Sequence, residues 1–121
     1  MLLRGADAFA FASHYDPFAL VIPEAMASGV PIITAPSVGA SALIKHGENG
    51  FVIRESGDLQ GMVTVLQQIA NDSHLVSNIR RNARKTAEMM SWEAMALQCE
   101  AVYERIRAAK QCRDRGNAVV A

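Results

Sequence analysis

Residues 16–35 read DPFALVIPEAMASGVPIITA. The second half, VPIITA at 30–35, is a β-branched run closed by Gly29 on one side and Pro36 on the other, as in a strand buried on both faces of a parallel sheet. The first half holds one carboxylate at Asp16 and another at Glu24 inside a mostly apolar stretch, and a segment that only filled a core would need neither. Asp16 followed by Pro17 resembles a helix cap with proline at the first helical position. Pro23 argues for a later start, near Val21, because proline deep in a helix costs about 3 kcal/mol. Phe18, Ala19 and Leu20 then form a turn with unpaired amides, a geometry that suits an anion. Gly29 stops the helix.

Upstream, AFAFA at 8–12 is a short apolar run consistent with a buried strand, and it ends in polar SHYDP. Downstream of the Gly39 loop, SALIK at 41–45 suits a short helix, HGENG a turn, and FVI at 51–53 a third strand. Asp58 is an N-cap for a helix with Leu59, Met62, Val63, Leu66 and Ile69 at helical spacing. Ser73 caps a second, with Leu75, Val76, Ile79, Ala83 and Ala87; Ser91 caps a third, with Trp92, Met95, Ala96, Cys99, Val102, Tyr103 and Ile106 along one face. Met89, Met90, Met95 and Trp92 read as packing at a helix junction. Beyond Ala109, KQCRDRGNAVVA loses periodicity and is expected to fray, so the chain divides into 1–109 and a tail, 110–121. Strands alternating with helices and then a helical end predict an α/β fold: a Rossmann-like parallel sheet with flanking helices.

A length of 121 residues, 50% of them apolar, suffices for one modest core. Twelve Lys and Arg against twelve Asp and Glu give zero formal charge, whereas a nucleic-acid binder needs a basic excess. The balance is uneven: residues 80–121 hold nine of the basic side chains. Cys99 and Cys112 form neither a C-x-x-C pair nor a cluster with histidines, which speaks against disulfides and zinc and for a reducing cytosol. MLLRGADAFAFAS has Arg4 and Asp7 where a signal peptide needs continuous hydrophobicity.

In an open parallel sheet, ligands gather beyond the carboxyl ends of the strands. SHYDPF and PSVGAS follow two strands in that way and open on one edge. Eight helical steps from Asp16 to Glu24 would cover about 12 Å, comparable to a diphosphate with a sugar at each end. Glu24 can accept from the two hydroxyls of a ribose, the amides after Asp16 can hold the diphosphate, and Asp16 can touch the transferred sugar. The same spacing suits a helix-capping Asp16 and a solvent-facing Glu24, and spacing alone does not choose.

DPFALVIPEAMASGVPIITA resembles the signature of retaining glycosyltransferases of family 4, which have the GT-B fold and the pattern E-x-F-G-x-x-x-x-E-A-M-A-x-G-x-P-V-I. The likeness runs through the Gly39 loop, HGENGFVI and SWEAMA, from about Gly5 to Ile106. It implies a partial carboxyl-terminal, nucleotide-sugar-binding lobe and a transferase that moves a hexosyl group, with retention, from a nucleotide diphosphate sugar to a glycan or lipid-linked acceptor. Cell-envelope polysaccharide or lipopolysaccharide synthesis is the implied setting, cytoplasmic or peripheral at the inner membrane face. Asp16 takes the place of the family's first glutamate, as the residue of the catalytic centre. Phe18, Ala19, Leu20, Glu24 and Gly39 fall at substrate-binding positions; no cofactor and no metal are implied.

Three departures qualify this. Asp16 is one methylene shorter than glutamate, Ala19 stands where the family prefers glycine, and Ala42 occupies the place of an acid in the Gly39 loop. The family's acceptor lobe and basic pair would precede Met1, and Arg4 is no evident replacement, so the isolated chain is expected to bind donor weakly and turn over little. His14 lies beside the donor loop and can touch a phosphate or a sugar hydroxyl, although a lone loop histidine is commonly a surface residue. His46 and His74 lack partners at metal spacing. Arg80, Arg81, Arg84 and Lys85 suit either an anionic lipid surface or a solvated helix face. Two other readings stand beside the enzyme: a non-catalytic nucleotide-sugar-binding or assembly fragment, and a sugar nucleotide epimerase of similar architecture.

Overall fold

A computed structural model describes the backbone of residues 2–118 and the side chains of residue 3 and residues 5–110; the side chains of Arg4 and Cys112 and the last three tail residues, weighed above, lie outside these. The chain divides into two compact units, Met1–Met89 and Met90–Ala121. In the first, β1 (Phe9–Phe11), β2 (Ile32–Thr34) and β3 (Phe51–Val52) form a parallel sheet in the order β1-β2-β3. Phe9 pairs with Ile32, and Ile33 with Phe51. The helices are α1 (Val21–Ala27), α2 (Leu59–Asn71) and α3 (Ser73–Glu88), with a 3₁₀ turn at Gly39–Leu43.

The central strand is buried throughout because its side chains alternate between two apolar clusters. Ile32 joins Ile22, Ala25, Met26, Val38 and Ala83 on one face, while Ile33 joins Phe51, Ile53, Val65 and Ile79 on the other. Helix α3 thus supplies one buried residue to each cluster, Ala83 and Ile79. Full burial of a side chain such as Ile33 or Phe51 contributes roughly 1.5–3 kcal/mol.

Helix α1 begins at Val21, as Pro23 requires, so the proline sits in the first turn where no N–H is needed. It ends in a Schellman motif: Val30 N–H donates to Ala25 O at 3.1 Å and Gly29 N–H to Met26 O at 2.9 Å, with Gly29 at φ 72°. Asp58 caps α2, its Oδ1 accepting from Gly61 N–H at 2.9 Å. Helix α3 is capped by Asp72, which accepts from Leu75 N–H at 2.8 Å, and not by Ser73, which is the first helical residue. On α2 the buried residue is Val65, with Met62 and Ile69 packed beside it, whereas Leu59, Val63 and Leu66 are exposed. The wide apolar stripe of this helix left its phase open by one position.

Asn49 is buried and uses its whole side chain. Its Oδ1 accepts from Lys45 N–H at 2.7 Å, and its Nδ2 donates to Leu43 O and to Thr86 Oγ1, each at 3.0 Å, tying the HGENG turn to α3.

Among the described residues of the second unit there is one helix, α4 (Trp92–Ala118), capped by Ser91 Oγ, which accepts from Ala94 N–H at 3.1 Å. Two expectations fail here. The backbone stays helical through Ala118 instead of fraying after Ala109, since Lys, Gln and Arg favour helix without any apolar spacing. Met89, Met95 and Trp92 do not fill a core: all three are exposed, Trp92 at 75%. Helical spacing defines an apolar face but not what covers it.

Candidate functional site

The loops that follow β1 and β2 meet at the carboxyl edge of the sheet. Asp16 N–H donates to Ser37 O at 3.3 Å, Gly39 N–H to Asp16 O at 2.9 Å and Ala40 N–H to Phe18 O at 2.9 Å, and Asp16 forms a parallel bridge with Val38. This lacing requires glycine at 39 for space, since a Cβ there would collide with the backbone carbonyl of Pro17. The Gly39 amide is already used by Asp16 O, so Gly39 shapes the site and has no free N–H to offer a ligand.

Asp16 does not cap a helix. Its Oδ1 accepts from Phe18 N–H at 2.9 Å, a local turn closed by the side chain. That removes the Phe18 amide from the set expected to be free and leaves Asp16 Oδ2 open. The next residue, Ala19, has φ 61° and is the described non-glycine residue in the left-handed region, followed by Leu20 in the right-handed helical region at φ −52°, ψ −26°. Such a reversal of hand points successive N–H groups into one concavity, a backbone nest for an anion. Among the described residues, the amides of Ala19, Leu20 and Val21 have no hydrogen-bond partner. Two of these three were expected from the sequence. Val21 was not among the expected residues, although the first amides of a helix have no partner within it.

Glu24 lies on α1 four residues after Leu20, to whose carbonyl its N–H donates at 3.3 Å. Helical side chains lean toward the amino end, so those at i+3 and i+4 cover the turn before them. Glu24 thus stands over Leu20 and Val21, exposed and without a side-chain partner among the described residues. Asp16, the nest and Glu24 follow one another along a single stretch. Ala42 is exposed in the 3₁₀ turn and adds no charge.

Among the described residues, no Lys or Arg side chain forms a hydrogen bond or ion pair with residues 16–24. Arg54, after β3, lies 3.8 Å from Glu55 and 4.0 Å from Asp58. In the basic cluster of α3, Arg84 donates to Ser28 O at 3.4 Å and covers Gly29, Arg81 donates to Asn78 Oδ1, and Arg80 reaches Ala6 O at 3.5 Å. Among the described residues, no group of three or more His, Cys, Asp or Glu could hold a metal, and no helix is long and apolar enough to cross a membrane.

The parallel three-stranded sheet with flanking helices matches the α/β architecture of GT-B glycosyltransferase structures. The chain belongs to the family of glycosyl transferases group 1, whose model matches residues 1–86. It is 35% identical over 107 residues to a D-inositol 3-phosphate glycosyltransferase from Jonesia denitrificans, covering 88% of this chain and 25% of that protein. It is also 35% identical over 82 residues to the capsular polysaccharide biosynthesis glycosyltransferase CapM of Staphylococcus aureus, covering 68% of this chain and 21% of that one. The chain thus spans about a quarter of the length of these relatives. The crystal structure of HepE from Anabaena in complex with UDP-glucose superposes with a TM-score of 0.71 at 28% identity, over 88% of this chain and 29% of HepE.

Proposed function

We propose that this edge binds the nucleotide diphosphate sugar of a retaining, family 4 glycosyltransferase that transfers a hexosyl group to a glycan or lipid-linked acceptor of the cell envelope. The observation that carries the reading is the run of three unpartnered amides, Ala19 to Val21, between two acids. The amides receive the diphosphate, Glu24 accepts from the ribose hydroxyls, and the open Oδ2 of Asp16 accepts from the transferred sugar. UDP-glucose bound to HepE and the capsular role named for CapM support the donor class and the setting. The family match favours transfer over the epimerase alternative.

Retention of configuration rests on the resemblance of the signature. Helix α1 has seven residues, so the local amides and not a long helix dipole serve the anion. Amides alone leave most of the charge of a departing nucleoside diphosphate unbalanced, and the isolated chain is therefore expected to bind donor with little or no turnover.

Titration of the chain with UDP, GDP and ADP, each with and without an attached hexose, tests this. Glu24→Ala should weaken the bare nucleotide by about tenfold or more, the loss expected for a charged hydrogen bond. Asp16→Asn keeps the acceptor for Phe18 N–H and should weaken binding mainly when the sugar is attached. Equal affinity of the parent and Glu24→Ala for the nucleotide would reject the assignment.

A further inference from the structure

His14 follows β1 and Ser56 follows β3, 42 positions later, yet Ser56 Oγ lies 2.8 Å from His14 Nδ1. Because β2 lies between these strands, the bond reaches across the carboxyl end of the central strand. The residues on either side of His14 are held as well: Ser37 Oγ donates to Ser13 O at 2.6 Å, and Ser13 Oγ donates to Tyr15 O at 3.0 Å. The imidazole is thereby fixed through its chain neighbours by one loop and at its ring by another. Its other nitrogen, Nε2, has no partner among the described residues, and the residue is exposed.

A hydroxyl partner can donate to a neutral Nδ1 or accept from a protonated one, so the ring keeps its place in either state. Nε2 is then a donor or an acceptor according to the tautomer, a match for a sugar hydroxyl, which is both. The unpartnered amides this edge offers a phosphate begin at Ala19, five residues after His14. His14 also precedes Asp16, on the side of the nest away from Glu24 in the chain.

We infer that His14 contacts the transferred sugar of the nucleotide diphosphate sugar through Nε2, with Ser56 as its positioning residue. The inference rests on the nucleotide-binding reading of the same edge. Calorimetric titration of the full chain with UDP and UDP-glucose, and with the GDP–GDP-mannose and ADP–ADP-glucose pairs, tests it. His14→Asn offers a polar atom near the Nδ1 position for Ser56 but lacks Nε2; it should lower affinity for the sugar nucleotide about tenfold while leaving the bare nucleotide unchanged. Ser56→Ala should lower the sugar-to-bare affinity ratio about threefold, and Ser56→Thr should restore it.

Those sugar-specific losses support the assignment. Equal losses for both ligands, or none, overturn it even when the nucleotide binds in a Glu24-dependent way. If the parent chain binds no nucleotide at all, the site reading falls and this inference with it.

Discussion

Replacing Gly39 with alanine tests the lacing that forms the site. The new methyl group would overlap the carbonyl oxygen of Pro17 and stand 2.7 Å from its carbonyl carbon and 3.2 Å from Phe18 Cα. All three are backbone atoms and cannot rotate aside, so the two loops must part. Parting breaks the bonds from Gly39 N–H to Asp16 O and from Ala40 N–H to Phe18 O, both 2.9 Å. At about 1 kcal/mol net each the loss is about 2 kcal/mol, and loosened packing of neighbouring buried groups raises it to about 3. That is a large share of the 5–15 kcal/mol typical of a small domain. With a urea slope of about 1.5 kcal/mol per molar, the midpoint should fall by roughly 1.5–2 M. Nucleotide binding should weaken alongside, since Phe18 O anchors the turn that carries the nest. Gly57→Ala is the control: nothing lies within 4 Å of its Cβ, and the change should stay within about 0.5 kcal/mol. Urea unfolding followed by circular dichroism checks both. A Gly39→Ala midpoint equal to that of the control would refute the close approach of the two loops.

Ala19→Gly should raise the urea midpoint, because a left-handed alanine costs about 1–2 kcal/mol and the added freedom of glycine in the unfolded chain offsets only about 0.4–1 of it; a lower midpoint would contradict the assigned backbone hand. Asp58 gives a pH test. The Gly61 N–H holds its carboxyl below the ordinary value of 3.8 against an opposing desolvation, with help from Arg54. A depressed carboxyl stabilises the fold above about pH 3.8 and loses that contribution as pH falls toward the folded value. The stability gap between the parent and Asp58→Asn, read from urea midpoints, should therefore be constant from pH 7 to pH 5 and close below about pH 3.8; a pH-independent gap would count against the charged cap.

The central strand was legible because VPIITA combines β-branching with Gly and Pro punctuation, and it is buried at each of Ile32, Ile33 and Thr34. The stop at Gly29 was legible because glycine takes a positive φ at little cost, and the cap at Asp58 because apolar residues at helical spacing begin directly after it. Asp16 was harder. A carboxylate before proline can cap a helix or close a turn on the second amide ahead, and the choice falls to the loop it packs against, here 37–40. The left-handed φ of Ala19 carries no mark in an alanine, whereas a glycine would have flagged it. The bond between His14 and Ser56 joins residues 42 positions apart and depends on strand order, which local patterns do not encode.

Amide spectra of the isotopically labelled chain during addition of UDP test most directly whether the nest holds a diphosphate. The largest downfield proton shifts should fall on Ala19, Leu20 and Val21, and UMP, which lacks the second phosphate, should move them less at equal saturation. Binding of UDP with these three amides unmoved and the main shifts elsewhere, for example on residues 59–71, would contradict it.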